Sequence, residues 1–403
     1  MPDSEIVEIT GHIIDSDILS KAIDEIVEAG ADYRIFEFEI GKTHADTSHA
    51  RIEVRAEKNA LAPLIGRLAA LGASPTQARD ARLVPAERDG VYPEGFYSTT
   101  SLPTQVRVDG RWLDIENPEM DCAIVVRDGH ARTVAMTDVR TGDPIVCGYD
   151  GVKVFPPDKP RAGDPFRFMS SEVSSEKPQG LLVQRISDAM RQVRESGKKI
   201  LWVVGPAVVH TGSIEPFCSL IRAGWVNVIF AGNALAAHDI EAAMFNTSLG
   251  VNLTEGRPIE HGHEHHLRAI NAVRGAGSIK AAVEAGLITR GIMWHVVKHG
   301  VDFVLAGSVR DDGPIPDVIT DMIEAQRAMR VRVPEIGLAV MVATMLHSIA
   351  TSNVLPASTP IVCVDINPAT VTKLMDRGSI QAVGMVTDVG LFLRQLAQTL
   401  GAS

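Results

Sequence analysis

The chain has 403 residues, of which 45% are hydrophobic and 22% charged, values typical of a globular protein with about two or three domains. Lys and Arg number 39 and Asp and Glu number 50, so the net charge of −11 argues against a general nucleic-acid or membrane-surface binder. The longest apolar stretch, residues 336–350, is shorter than the ~20 residues of a membrane span.

The cysteines and the N-terminus both indicate a cytoplasmic protein. Cys122, Cys147, Cys218 and Cys363 are scattered without a Cys-x-x-Cys pair, a pattern that favours buried thiols in a reducing compartment over a disulfide framework. The first residues, MPDSEIVEIT, are acidic and lack the basic and then apolar pattern of a secretory signal.

Residues 1–100 predict a small α+β domain. Segments with the alternation of strands lie at 5–13, 33–41 and 49–57, and segments with helical spacing lie at 17–30 and 61–73. This β-α-β-β-α order is ferredoxin-like. Such a domain can regulate, dimerise or cover a neighbouring site, and the sequence leaves these roles open.

Residues 101–195 predict a second, β-rich domain. Short strand-like segments with Gly-rich turns lie at 104–115 and 122–136. A proline-rich connector at 155–166 follows them, and residues 180–197 have the pattern of an amphipathic helix.

Residues 196–403 predict a Rossmann-like domain. Continuous apolar runs alternate with helices, as in a parallel sheet covered on both faces. Several runs finish in small or polar residues, namely Gly205, Gly232, Gly307, Thr344 and Asp365. Because the carboxyl ends of parallel strands share one edge, the residues that follow them are expected to line one crevice, where such folds bind their ligands.

Asp365 is the strongest candidate for a nucleotide contact. It follows a predicted strand, and Asn367, Pro368 and Gly378 suit the N-cap, the first position and the C′ position of the next helix. A carboxylate there can accept from both ribose hydroxyls of a nucleotide, or it can be a second capping group. No G-x-G-x-x-G or Walker motif is present, so a bound dinucleotide would not use the usual fingerprint.

Two further polar segments have open interpretations. Asn233 can contact an amide or a ribose through its side chain. Alternatively, it is a helix N-cap, and His238 and Asp239 in the following helix are a solvent-facing polar pair. The four histidines in EHGHEHHLRAIN (residues 260–271) are spaced too densely for a zinc helix, and a loop leading into a helix is favoured over a metal site.

A charged turn follows the apolar run 301–306. Asp311 and Asp312 can hold a substrate ammonium group or transfer a proton, and Arg310 can take a carboxylate in a bidentate pair. Asp-Asp-Gly-Pro is also good turn chemistry on its own, so this segment alone stays undecided.

Several long motifs together resemble one family. They read VGPAVVHTG, AGNALAAHDIE, TSLGVNL, HLRAIN, AGSIKAAVEAG, VLAGSVRDDGPIPDVITD, ATMLHSIA and VCVDINPATVTKLMDRGS. They look like the archaeal-type, NAD-dependent ornithine cyclodeaminases, also found as the C-terminal part of cyanobacterial arginine dihydrolase fusions. Residues 1–100 resemble the lysine-oxoglutarate reductase/saccharopine dehydrogenase (LOR/SDH) conserved region of that family.

The resemblance implies a lyase that oxidises L-ornithine at Cα with NAD⁺, closes the δ-amine on the resulting imine, releases ammonia and reduces the cyclic imine to L-proline. It implies that Asp365 binds the adenosine ribose. The implied nucleotide contacts are Asn233, Ala234, Asn252, Ala306, Gly307, Ser308, Leu346, His347, Asp365 and Asp388.

Within that family, the chemistry of the substrate suggests roles for the charged turn. Asp311 or Asp312 would hold the δ-ammonium group or transfer its proton, and Arg310 would bind the carboxylate. We expect a homo-oligomer acting on a small amino acid, with NAD as the cofactor and without a metal, a nucleic acid or a membrane as a partner.

Departures from the family pattern keep other functions open. The GHEHHL segment and the segment around His295 differ from what is typical, so the amino acid need not be ornithine. One alternative is a saccharopine- or opine-type dehydrogenase with net reduction of NAD. The other is a non-catalytic NAD-sensing regulatory protein.

Overall fold

The computed structural model describes residues 3–14, 17–42, 46–76, 79–155, 179–252, 257, 262–309, 311, 313–375 and 382–402. Arg310, Asp312, Gly378 and most of the proline-rich connector lie outside the described residues. The chain divides into two compact units, one of residues 1–167 with 353–358 and one of residues 168–352 with 359–403. The finer boundaries near residues 100 and 195 stay a prediction.

The N-terminal part of the first unit is ferredoxin-like, as predicted. Its elements are β1 (Asp3–Gly11), α1 (Ile18–Glu28), β2 (Asp32–Glu39), β3 (Ser48–Ala56), α2 (Lys58–Ala70) and β4 (Ser74–Pro75). The strands form an antiparallel sheet in the order β2-β3-β1-β4. Alternate residues of β3, namely Ala50, Ile52 and Val54, are buried and pack with Leu64 and Leu68 of α2.

The rest of the first unit is the expected β-rich part. Its strands are β5 (Arg82–Pro85), β6 (Thr104–Val108), β7 (Arg111–Glu116), β8 (Ala123–Arg127), β9 (His130–Val134), β10 (Pro144–Cys147) and β11 (Val152–Val154). They form a sheet in the order β11-β6-β7-β9-β8-β10-β5. Val106, Ile124, Val146 and Val152 are fully or almost fully buried in its core.

The second unit is built on a parallel sheet. Its strands are β12 (Lys199–Val204), β13 (Val228–Gly232), β16 (Asp302–Ala306), β17 (Val318–Ile319), β18 (Ile336–Val342), β19 (Ile361–Asp365) and β20 (Ala382–Val386), and a separate hairpin holds β14 (Thr247–Ser248) and β15 (Val251–Asn252). The helices of this unit are α3 (Gln179–Glu195), α4 (Ala207–His210), α5 (Ile214–Arg222), α6 (Asn233–Phe245), α7 (His265–Ala276), α8 (Ile279–Glu284), α9 (Ile292–His299), α10 (Met322–Arg330), α11 (Met345–Val354), α12 (Pro368–Met375) and α13 (Val389–Thr399).

The order of these strands is that of a doubly wound Rossmann sheet. All neighbours pair in parallel, in the order β17-β16-β13-β12-β18-β19-β20. Without the short edge strand β17, this is the 3-2-1-4-5-6 order, which reverses between β12 and β18. The predicted parallel sheet is therefore confirmed. No helix in the described part of the chain is long and apolar enough to span a membrane.

Candidate nucleotide and substrate site

The predicted nucleotide contacts gather at the carboxyl edge of the parallel sheet. Nine of the ten lie at a strand end or shortly after it, namely Asn233 and Ala234 (β13), Ala306, Gly307 and Ser308 (β16), Leu346 and His347 (β18), Asp365 (β19) and Asp388 (β20). Asn252 differs, because it lies in β15 and pairs with Thr247 of β14. One edge of one sheet therefore carries most of the predicted set.

The centre of this edge is the switch point between β12 and β18. The N–H of Gly205 donates to Val342 O at 2.9 Å, and the N–H of Ala343 donates to Val364 O at 3.0 Å. A Cβ atom on Gly205 would lie 1.8 Å from the carbonyl oxygen of Ala343, so only glycine fits there. Ala343 has φ +53°, an uncommon conformation for alanine that concentrates at functional sites.

The strand ends of β13 and β16 meet the N-terminal turn of α11. A Cβ atom on Gly232 would lie 3.0 Å from His347 Nε2, so the imidazole packs on the backbone where β13 ends. Burial lowers the pKa of His347, and the nearby Asp311 carboxylate opposes this effect. Asn233 is buried, and its Oδ1 accepts from the N–H of Ile315 at 3.1 Å.

Asp311 closes the turn that follows β16. Its Oδ2 accepts from the backbone N–H of Ser308 at 2.8 Å, and its Oδ1 accepts from the Ser308 hydroxyl at 3.0 Å. The N–H of Gly307 donates to Ile319 O of the neighbouring strand at 2.9 Å. This turn, at residues 308–311, places Asp311 close to His347 at the same edge, and the turn that the sequence suggested at 311–314 stays a prediction because Asp312 lies outside the described residues.

The opposite side of the switch point carries two carboxylates. Asp365 Oδ1 accepts from the N–H of Asn367 at 2.8 Å, and no described residue hydrogen-bonds to its Oδ2. Asn367 Oδ1 accepts from the N–H of Ala369 at 3.0 Å, so Asn367 is the predicted N-cap of α12. Asp388 caps α13 by accepting from the N–H of Leu391 at 2.8 Å.

The groups at this edge fit a dinucleotide. Asp365 caps a turn with one carboxylate oxygen and keeps the other oxygen available. Its two interpretations, as a capping group and as a ribose contact, are therefore compatible. Small residues at the ends of β12, β13 and β16 permit close backbone approach, and α6 begins directly after β13 with its N–H groups at this edge. The fold and the site therefore define a doubly wound dinucleotide-binding protein.

Asp239 caps a helix from a buried position. The interpretation of His238 and Asp239 as a solvent-facing pair is therefore wrong for Asp239. Its side chain is fully buried, and its two oxygens accept from the N–H groups of Ile292 and Met293, each at 2.7 Å. Asp239 thereby caps the first turn of α9 from α6. Burial raises its pKa to about 7, although these two hydrogen bonds act in the opposite direction.

A polar network around Glu241 was missed in the sequence. Glu241 Oε1 accepts from the Thr247 hydroxyl at 3.0 Å and from the N–H of Gly250 at 3.2 Å. Its Oε2 lies 3.0 Å from His238 Nδ1 and accepts from the N–H of Leu249 at 3.3 Å. The spacing of His238 and Glu241, three residues apart on a helix, was the available signal.

Further histidines surround this network. His210 is hydrogen-bonded to the Ser248 hydroxyl, and His265 Nδ1 lies 2.9 Å from the Thr247 hydroxyl. The ring centroids of His210 and His238 are 4.9 Å apart, and those of His238 and His266 are 6.3 Å apart. Among the described residues, no three His, Cys, Asp or Glu side chains are placed to hold a metal ion.

Three family models match consecutive parts of the chain. The LOR/SDH bifunctional enzyme conserved region matches residues 4–102, and the first region of the arginine dihydrolase ArgZ-like C-terminal part matches residues 103–183. The ArgZ-like C-terminal Rossmann fold matches residues 184–396.

Individual relatives agree with these matches. An ornithine cyclodeaminase of Methanopyrus kandleri is 50% identical over 400 residues, covering 98% of this chain and 97% of the relative. The crystal structure of apo ArgZ, a cyanobacterial arginine dihydrolase, superposes with a TM-score of 0.85 at 38% identity, over 99% of this chain and 58% of that chain. A ternary complex of AgrE with ornithine and NAD⁺ has a TM-score of 0.54 at 40% identity, with the same coverage.

The chain therefore belongs to the archaeal-type ornithine cyclodeaminase family, as its motifs predicted.

Proposed function

We propose that this protein is an NAD-dependent ornithine cyclodeaminase, which converts L-ornithine to L-proline and ammonia. The observation that carries the proposal is the ternary complex of AgrE with ornithine and NAD⁺, a relative 40% identical over 99% of this chain. Relatives of nearly equal length that are named ornithine cyclodeaminase support the same activity. Bound NAD⁺ supplies a hydride acceptor for Cα oxidation and, as NADH, the donor that reduces the cyclic imine.

Residues at the sheet edge would hold this cofactor. We propose that Asp365 binds the adenosine ribose through its available oxygen, and that Asp388 contacts the nucleotide on the same side. The contacts proposed for the remainder of the nucleotide are Asn233, Ala234, Asn252, Ala306, Gly307, Ser308, Leu346 and His347.

The charged turn after β16 would receive the substrate. We propose that Arg310 binds the ornithine carboxylate and that Asp311 or Asp312 holds the δ-ammonium group or takes its proton. The position of Asp311 beside His347, at the same edge as the proposed nucleotide contacts, supports this assignment.

Product analysis tests the function directly. Incubation with ornithine and NAD⁺ should yield proline and ammonia in equal amounts without accumulating NADH, since the net reaction is redox-neutral. A steady rise in NADH absorbance would indicate a dehydrogenase instead, and NAD binding without turnover would indicate a sensor. Lysine and 2,4-diaminobutyrate are the matched substrates, because they differ from ornithine only in chain length.

Asp365→Ala is expected to weaken NAD binding by about 1–3 kcal/mol, the loss of a hydrogen bond to a charged group. Calorimetric titration with NAD⁺ measures this change. Asp365→Asn is the control for folding, because an amide oxygen can still accept from the N–H of Asn367. An Asp365→Ala protein that folds and binds NAD⁺ with unchanged affinity would remove Asp365 from the site.

Two observations, on the cysteines and on strand β2, support proposals about the location and the oligomeric state of the protein. The four cysteines are free and buried, which supports a reducing, cytoplasmic location. In the first unit, β2 is an edge strand with the exposed apolar residues Ile35, Phe36 and Phe38, which supports a homo-oligomer formed through this strand.

A further inference from the structure

Glu241 is a fully buried carboxylate with an unusual number of donors. It accepts from the Thr247 hydroxyl and from the backbone N–H groups of Leu249 and Gly250, and it lies within hydrogen-bond distance of His238 Nδ1. Burial alone would raise the pKa of Glu241, but these hydrogen bonds outweigh it and the pKa lies below its usual range. Glu241 is therefore ionised at neutral pH and can only accept hydrogen bonds.

The charge of Glu241 determines which nitrogen of His238 carries the proton. Because the carboxylate only accepts, His238 Nδ1 must be the donor of their 3.0 Å hydrogen bond. In the neutral form of the His238 ring, Nε2 then has a free lone pair, and no described residue hydrogen-bonds to it. The side chain of His238 keeps 14% of its surface exposed. A carboxylate that orients an imidazole in this way is the arrangement of a general base.

The groups that face His238 lie on α4, on α7 and on its own helix α6. His210 of α4 contacts His238. Burial has the largest effect on the pKa of His210 and lowers it, and the neighbouring His238 lowers it further, so the His210 ring stays neutral. From α7, His266 lies next to His238, and His265 reaches the same network through Thr247. The neighbouring Asp239 points away from this network, towards α9.

The network lies beside the part of the sheet edge where the reactive end of the cofactor is expected. His210 ends α4 and His238 lies in the second turn of α6, and these helices follow the adjacent strands β12 and β13. Asp365, the proposed ribose contact, lies three strands away from β13, roughly 14 Å at the usual ~4.8 Å spacing. An extended dinucleotide with its adenosine at β19 would place its nicotinamide near β12 and β13.

We propose that His238, oriented by Glu241, is a catalytic residue that takes a proton from the α-ammonium group of the amino-acid substrate and returns it to the departing ammonia. This assignment rests on the proposed cyclodeaminase function and adds the proton carrier to it. Glu241 is a positioning residue, because it acts through His238.

The proton balance closes over one turnover. His238 Nε2 removes one proton from the α-ammonium group, and the freed lone pair forms the C=N bond as the hydride leaves Cα for the bound cofactor. After the δ-nitrogen has bonded to Cα, His238 gives its proton to the α-nitrogen, which leaves as ammonia. The δ-nitrogen releases two protons during ring closure, of which proline recovers one and ammonia the other.

His238→Asn tests the proposal, because the asparagine amide can still donate to Glu241 while Nε2 is removed. We expect kcat with ornithine to fall roughly 10²- to 10⁴-fold, the usual contribution of a general acid–base group, with the affinity for NAD⁺ and the melting temperature nearly unchanged. The acid limb of the pH profile of kcat/KM should disappear. His299→Asn, the same substitution at an exposed position of α9, should keep wild-type kinetics.

Glu241→Gln separates positioning from catalysis. A neutral amide no longer stabilises the imidazolium, so the acid limb of the profile should move to lower pH. A His238→Asn protein with wild-type kcat and an unchanged pH profile would overturn the proposal. So would the loss of both NAD binding and turnover in both variants, because that result would show that His238 and Glu241 are needed for folding. A wild-type protein that forms no proline from ornithine would overturn the proposed function and this inference with it.

Discussion

Gly205→Ala is expected to destabilise the protein by about 3 kcal/mol and to abolish measurable NAD binding. The added Cβ atom would lie 1.8 Å from the carbonyl oxygen of Ala343, a backbone atom that cannot move without separating β12 from β18. Overpacking of this kind usually costs about 1–3 kcal/mol, and a clash between two backbone segments lies at the upper end of that range. Chemical unfolding and calorimetric titration with NAD⁺ measure the two effects.

Gly275→Ala is the matched control for this substitution. Gly275 is an exposed residue of α7, and a Cβ atom there would meet nothing within 4 Å. Alanine should therefore stabilise the helix by about 0.5–1 kcal/mol. If Gly205→Ala were as stable as the wild type and bound NAD⁺ normally, the close approach at the switch point would not be a structural requirement.

Asp239→Ala is expected to lower the free energy of unfolding by roughly 2–4 kcal/mol, because it leaves two buried N–H groups without an acceptor. These are the N–H groups of Ile292 and Met293 at the start of α9. Asp321→Ala is the matched control. Asp321 also accepts from two N–H groups at the start of a helix, α10, but it is exposed, so water can replace it and the cost should be about 1 kcal/mol.

The stability difference at Asp239 should also depend on pH. The folded-state pKa of about 7 lies above the ordinary value of 3.8, so folding favours the protonated form. This contribution is fully present below pH ~4 and is lost as the pH rises towards 7. The destabilisation caused by Asp239→Ala should therefore shrink between pH 4.5 and about 7.5. A difference that stays constant across this window would contradict the raised pKa.

Local patterns were sufficient to predict the six main strands of the parallel sheet in the second unit, but not the short strands β14, β15 and β17. Continuous apolar runs produced the buried strands β12 and β18, and Asn367 followed by Pro368 marked the start of α12. Such signals depend on neighbours in sequence, so they can be seen without a structure. The same holds for the family motifs, which predicted an ornithine cyclodeaminase relative that the comparisons confirmed.

Contacts between distant residues were not predictable in this way. Asp239 reads as an exposed helix residue, and it is buried only because α9, more than 50 positions later, begins beside it. The pairing of His210 with Ser248 likewise joins residues 38 positions apart. No periodicity or propensity encodes such pairings, since they depend on how helices pack over the sheet.

By itself, the sequence determined the family, the alternation of helices with buried strands, and the residues that end those strands. Only the tertiary structure decided the order of the strands, the switch point at Gly205 and Ala343, and the partners of Asp239 and Glu241. The physical reason is that an apolar run identifies a buried strand but not its neighbours. Strand order and the partners of buried polar groups follow from the packing of the whole unit, in which buried polar atoms must find hydrogen bonds.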